Sequence, residues 1–226
     1  MKNKKFWDNL YKKNWENQRI FPNEELCRFL GRNFKKRIGI KKNVLDIGCG
    51  TGNNILPFLH YGFNILAIDV SKKCIEKCKK KFKEKKRIQF KKINMTEVDK
   101  LNTKFDLIAD VFSSYNLNYK EGILFVDKVY NQLKKGGIFF SYFPSKNSKS
   151  WIMEKKFKYD SSTLNGFKFK SSPFFGNQGF FRFLSLKEYK KMLIKKGFKI
   201  KYLEKTTRTY NNLKEKFEFI VVEAKK

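Results

Sequence analysis

Asp46, Gly48, Gly50, Gly52 and Asp69 are the residues whose types and spacing specify a chemistry most narrowly in this sequence. The run Asn43-Val44-Leu45-Asp46-Ile47 is apolar and of strand type. It breaks into Gly48-Cys49-Gly50-Thr51-Gly52, and Asn53-Asn54 then opens a stretch with helical apolar spacing (Ile55, Leu56, Phe58, Leu59). Glycines in such a turn accept positive φ at little steric cost and let a ligand lie directly on the backbone. Dinucleotides and nucleosides compete for a turn of this kind. A dinucleotide fingerprint needs glycine at the sixth position, where this chain has Asn53. An aspartate two residues before the first glycine would repel a pyrophosphate; it suits a cationic or hydroxyl-bearing ligand. Asp69 ends a second apolar run, Asn64 to Asp69, and follows Gly50 by 19 residues. That is close to the spacing at which a carboxylate meets a ribose diol, through charge-assisted bonds. Taken singly, the turn is an ordinary glycine-rich βα corner and Asp69 a cap for the helix at Ser71. Together they describe a nucleoside site.

Such a site needs a parallel sheet to hold it. Strand-type runs recur at Ile88 to Ile93, Phe105 to Asp110 and Ile138 to Phe143, with helical patterns from Ser71 to Lys85 and from about Lys120 to Leu133. The end of the fourth strand, Asp110 to Tyr115, should lie beside the first strand where the strand order reverses, and ligands of open α/β sheets bind there. Before the first strand, Trp7, Tyr11 and Trp15 recur every fourth residue, and Asn23-Glu24-Glu25 after Pro22 reads as a helix start. Core packing explains this aromatic stripe as well as a ligand does. Leu186 to Ile194 reads as a helix, and Gly197 to Ile200 and Phe217 to Ala224 as strands. Between Pro144 and Phe183 the chain is too long for a structureless loop, so a short helix or hairpin covering the site is expected. Its aromatics suit either a substrate wall or a small core of their own.

Asp46-Ile47-Gly48-Cys49-Gly50-Thr51-Gly52 resembles, position for position, motif I of the class I S-adenosylmethionine-dependent methyltransferases, an apolar strand followed by D-x-G-x-G-x-G. Lys134-Lys135-Gly136-Gly137 resembles the corner that follows a helix in that family, and the C-terminal helix and strand pair resemble its closing elements. The resemblance covers roughly residues 40 to 144 and 183 to 224. It implies a doubly wound, mostly parallel seven-stranded α/β sheet with helices on both faces and an antiparallel last strand, with N-terminal helices and a small cap. It implies a single methyltransferase domain over 1–226, divided into an N-terminal helical cover (1–40), a cofactor-binding half (41–144), a substrate-side cap (145–183) and a closing helix and strand pair (184–226). The cofactor would be S-adenosylmethionine, contacted by Tyr11, Asp46, Gly48, Cys49, Gly50, Asp69, Val70, Asn94, Met95 and Asp110. Asp110 and Tyr115 are the catalytic candidates, and Trp151 and Arg182 the substrate contacts. The Asn/Asp-Pro-Pro-Tyr/Phe sequence of enzymes that methylate base amines is absent after the fourth strand.

Composition narrows the partners. The chain is 226 residues long, enough for one well-cored α/β domain, and its formal net charge is +31. Only seven of its 52 basic residues are arginine, and the lysines run from Lys2 to Lys226 without gathering in one block. Phosphate recognition favours the planar fork of arginine, so a compositional drift of the whole proteome explains the charge better than a nucleic-acid site. Four cysteines (27, 49, 74 and 78) form no CxxC pair, and the only histidine is His60. Cys74 and Cys78 read as small core residues of a helix, and no metal is expected. No signal peptide or membrane span is visible, so a cytoplasmic protein, a monomer or homodimer, is expected. The leading expectation is methyl transfer to O or N of a small molecule. RNA or DNA methylation, and cofactor binding without catalysis, are the alternatives; a NAD(P)-dependent reductase is remote.

Overall fold

The computed structural model describes residues 2–13, 15–16, 18, 20–34 and 42–226. Residues 1, 14, 17, 19 and 35–40 of the expected N-terminal cover lie outside the described residues. Seven strands form one sheet: β1 (Asn43–Ile47), β2 (Asn64–Asp69), β3 (Ile88–Lys92), β4 (Phe105–Val111), β5 (Leu133–Pro144), β8 (Lys199–Tyr210) and β9 (Glu215–Lys225). Their order is β3-β2-β1-β4-β5-β9-β8. The first five strands are parallel, and β9, the last in the chain, runs antiparallel between β5 and β8. This is the expected fold class.

The helices are α1 (Lys2–Lys13), α2 (Glu24–Asn33), α3 (Ile55–His60), α4 (Lys72–Lys81), α5 (Tyr119–Gln132), α6 (Lys149–Glu154) and α7 (Leu186–Lys196). Alternate residues of a strand face opposite sides of a sheet, so β5 shows how they are divided. Phe140 stacks on Phe29 of α2 with ring centroids 4.7 Å apart, whereas its neighbour Phe139 meets Phe125 of α5. On the side of Phe139, Ser141 accepts from the Tyr189 hydroxyl of α7 at 2.7 Å. Helices therefore cover both faces. Capping fixes their starts: Asn118 and Glu121 form a capping box on α5, Ser185 and Glu188 one on α7, and Gly197 ends α7 with φ +107°.

The segment between β5 and α7 holds α6 and a two-stranded ribbon, β6 (Thr163–Asn165) and β7 (Phe180–Arg182). It is tied to β9 by buried carboxylates: Ser150 donates to Glu215 at 2.6 Å and Ser145 to Glu218 at 2.7 Å. Its aromatics divide between the two expected roles. Phe167, Phe181 and Phe183 are buried in a core shared with Phe217, whereas Tyr159, Phe174 and Phe180 line cavities. Strand β8 is much longer than the sequence suggested. Its pairing with β9 continues to Tyr210↔Glu215, through the polar stretch Thr206-Thr207-Arg208-Thr209, where no apolar alternation marks a strand.

Candidate active site

The site lies along the C-terminal ends of β1, β2 and β4, where the strand order changes direction. The chain between β1 and α3 makes the turn that its glycines require: Gly48, Gly50 and Gly52 all have positive φ, at +65°, +51° and +71°. Space demands glycine too. A Cβ on Gly48 would stand 2.3 Å from Ser113 Oγ, and one on Gly50 would stand 3.1 Å from the Tyr11 hydroxyl. Asn54 does not cap α3 with its side chain; its Oδ1 accepts instead from the backbone N–H of Asn23, docking the start of α2 on the turn.

Three adjoining cavities run along this edge. The middle one is walled by Trp7, Tyr11, Gly48, Asp69, Val70, Met95 and Ser113 among others. It shares Trp7, Val70, Met95 and Asn116 with a larger cavity of about 410 Å³, which reaches Asn94, Glu121, Tyr159 and Phe180. It shares Tyr11, Gly48 and Phe112 with a third, of about 230 Å³, bounded by Cys49, Gly50, Tyr142, Phe174, Arg208, Tyr210 and Phe219. Helix α1 roofs the middle of this run. It is fastened by Asp8, which accepts from the Ser71 hydroxyl at 2.6 Å, and by Lys77, which donates to the Tyr11 carbonyl oxygen at 3.0 Å.

Two carboxylates differ in how they are satisfied. Asp69 accepts from the backbone N–H groups of Ser71 (2.9 Å) and Gly50 (3.2 Å). Burial pushes its carboxyl up to about 6, against the pull of those two donors. Asp46 is 1% exposed and its Oδ2 has no hydrogen-bond partner. Burial first, then the neighbouring Cys78, Asp69 and Asp110, pushes its carboxyl up to about 7. An orphaned buried carboxylate oxygen next to a bare backbone turn fits a ligand that brings positive charge. The apolar slot of Ile68, Val70, Ile93 and Met95 beside Asp69 fits a base attached to a ribose. The residues present fit S-adenosylmethionine; Asp46 would face its cationic end, Gly48 to Gly50 would allow close backbone approach, Asp69 would meet the ribose and Val70, Asn94 and Met95 the adenine.

Of the residues expected from the sequence, Tyr11, Gly48, Cys49, Gly50, Asp69, Val70, Asn94 and Met95 line these cavities, and Asp46 is buried beside them. Asp110, Tyr115, Trp151 and Arg182 line none of the three. Asp110 is fully buried and accepts from the N–H groups of Ser113 and Ser114, from the Ser114 hydroxyl and from Ser141, so its carboxylate builds the turn after β4. That turn carries Phe112 at φ +57°, a conformation costly for a bulky side chain, between two of the cavities. Tyr115 is packed against Phe112 and Phe181, with centroids 4.4 and 4.3 Å away, and burial raises its hydroxyl well above the ordinary value. Trp151 packs on Phe183. Arg182 is 2% exposed and donates to the carbonyl oxygens of Ser114 and Asn118, with its guanidinium against Gly122; burial lowers it to about 10. Sequence reasoning missed Gln18, Arg208, Tyr210 and Phe219, which reach the third cavity from the N-terminal segment and the β8–β9 hairpin. A polar strand carrying an arginine was their only trace.

Comparison with known proteins agrees with this geometry. A family described as a methyltransferase domain matches residues 44–137. A ubiquinone biosynthesis O-methyltransferase of Pelagibacter ubique is 34% identical over 125 residues, which is 54% of this chain; the chain covers 51% of that relative's length. Among solved structures, a SAM-dependent methyltransferase from Methanosarcina mazei superposes with a TM-score of 0.68 at 18% identity, over 88% of this chain and 96% of its own. The magnesium protoporphyrin IX methyltransferase of Synechocystis, bound to S-adenosylhomocysteine, gives 0.68 at 14% identity, over 97% of each chain. The 1,6-didemethyltoxoflavin-N1-methyltransferase of Burkholderia thailandensis gives 0.67 at 15% identity, over all of this chain and 86% of its own. Residues 44–137 thus match a methyltransferase-domain family, and the chain as a whole has the fold of solved S-adenosylmethionine-dependent methyltransferases.

Proposed function

We propose that this protein transfers a methyl group from S-adenosylmethionine to an oxygen or nitrogen atom of a small molecule. The observation that carries the reading is the unpartnered, buried Asp46 carboxylate two residues before a glycine turn that no side chain but glycine fits. Bound S-adenosylmethionine would supply an electrophilic methyl carbon for in-line attack by an acceptor lone pair, with S-adenosylhomocysteine as the leaving group. The chain's own part is alignment and exclusion of water. Trp7 and Tyr11 close the cofactor side, and Phe112, Tyr142, Phe174 and Phe219 wall the cavity beyond it. His60 lines none of these cavities, and burial raises the Tyr11 hydroxyl well above the ordinary value, so neither serves as a base. Arg208 lines the third cavity, 3.6 Å from Glu24, and its remaining donors suit an acceptor that bears a negative charge.

Small-molecule acceptors are favoured over nucleic acid because the third cavity is a recess that combines six aromatic side chains with a single charged one, Arg208, among the residues lining it. Among the described residues, no helix is long and apolar enough to cross a membrane. A cytoplasmic setting accords with four cysteines that are all free thiols. The test is incubation of the purified protein with methyl-labelled S-adenosylmethionine and separate metabolite and RNA fractions. Label in a metabolite fraction supports the reading. Label only in RNA would replace it, and tight cofactor binding with no transfer would reduce the protein to a binding module.

A further inference from the structure

Cys49 stands in the glycine turn, and Cys74 and Cys78 are one helical turn apart on α4. The fold brings their three sulfur atoms within 4.8 Å of one another, all three residues buried. The sulfurs of Cys74 and Cys78 also reach the Gly50 carbonyl oxygen, at 2.8 and 3.1 Å. The sequence spacing hid this arrangement, because one thiol comes from the turn after β1 and two from the helix after β2.

We propose that Cys49, Cys74 and Cys78 form a binding site for a trivalent thiophilic ion, of which arsenite is the simplest probe. Thiolates about 2.3 Å from one shared ion lie at most about 4 Å apart, so small side-chain rotations close the site. The three grouped donors are soft, and the nearby Asp69 carboxylate meets them only as an acceptor from the Cys74 thiol. Such a set selects a soft ion content with three ligands over a hard one. Charge then chooses the valence. Three thiolates around a monovalent or divalent ion keep net negative charge, next to a turn whose Gly50 N–H already serves Asp69 and close to the unpartnered Asp46. Buried negative charge without a partner is costly. Around a trivalent ion the adduct is neutral. With arsenous acid, three As–S bonds form and three As–O bonds break. The thiol protons leave on the three hydroxyls as water, and no oxidation state changes. The adduct would withdraw the S–H donors from the Gly50 carbonyl and clamp the glycine turn to α4.

The test is native mass spectrometry of the reduced, purified chain with sodium arsenite, followed by alkylation in denaturant and peptide mapping. Expected is one arsenic per chain, with peptides holding Cys49, Cys74 and Cys78 protected and Cys27 alkylated. Cys27→Ser should bind as the parent does. Cys74→Ser and Cys78→Ser should bind at least about tenfold more weakly, because the chelating effective concentration is lost. Absence of retained arsenic, protection of Cys27, or undiminished binding by a folded Cys78→Ser variant would overturn the proposal; three thiols that merely fill the core give the first of these outcomes. The mapping of the unmodified chain decides the matter even if the variants do not fold.

Discussion

The Ser113 hydroxyl donates to the Gly48 carbonyl oxygen at 3.2 Å, joining the turn after β4 to the glycine turn after β1. The contact leaves no room for a side chain at position 48, where a Cβ would stand 2.3 Å from Ser113 Oγ and 2.6 Å from Ser113 Cβ. Gly48→Ala should therefore weaken binding of S-adenosylhomocysteine by at least about a hundredfold, or about 2.7 kcal/mol, measured by calorimetry. Adding Ser113→Ala should not restore it, because the Ser113 Cβ remains. Recovery in the double variant would show that the hydroxyl alone is the obstacle.

Asp46 and Asp69 give the ligand-free protein a pH-dependent stability. Both carboxyls stand above the ordinary aspartate value, at about 7 and about 6. The folded chain holds these protons more tightly than the unfolded chain does. Stability from these two groups is therefore highest below about pH 4, falls as pH rises and levels off near 7. Asp46→Asn should flatten the upper part of that slope in thermal melts at graded pH.

Cofactor binding should run the other way. A cationic ligand stabilises the ionised Asp46, so affinity should rise with pH up to about 7, by at most about tenfold per pH unit for one proton. Calorimetry in buffers of different ionisation enthalpy should show proton release near pH 6. Proton uptake there would remove Asp46 from the site.

Arg182 and Arg208 should separate cleanly in mutants. Arg182→Leu removes one of two donors from each of the carbonyl oxygens of Ser114 and Asn118, which keep the N–H groups of Leu117 and Gly122, and should cost about 1 kcal/mol or more of stability. Gly122→Ala, which places a Cβ 0.9 Å from the same guanidinium, should cost about 1 to 3 kcal/mol through overpacking. Arg208→Ala should leave the melting temperature nearly unchanged, yet raise the acceptor KM about tenfold, or about 1.4 kcal/mol. A folded Arg182→Leu enzyme with raised KM and normal stability would return Arg182 to the substrate.

Helix α1 should matter to the cofactor more than to the fold. Asp8→Ala removes its tie to Ser71 and should weaken cofactor binding severalfold, read by calorimetry, with a melting temperature lowered by no more than a few degrees.

What the sequence disclosed follows from how local each signal was. Asp46, the glycines and Asp69 lie within one βαβ unit, so strand period, turn chemistry and spacing sufficed to place them. Asn94 and Met95, at the corner after the next strand, were expected only from the family resemblance, and both line the larger cavity. Arg182 and Trp151 were chosen as polar or aromatic residues in an irregular segment, and nothing local told that Arg182 lies over Gly122, 60 positions earlier. Arg208, Tyr210 and Phe219 arrive by antiparallel pairing at the far side of the sheet, and Tyr142 by the register of β5 against β9. Such long-range partners leave no periodic mark. The three thiols went unrecognised for the same reason.

The β8–β9 hairpin extends the sheet beyond the cofactor half and ends in Asn211, Asn212 and Leu213, all with positive φ. That arm and the glycine turn after β1 come from strands separated in the sheet by β4 and β5, and they meet at the third cavity. Exchanging the arm for one of another length or charge should redirect which molecule is modified.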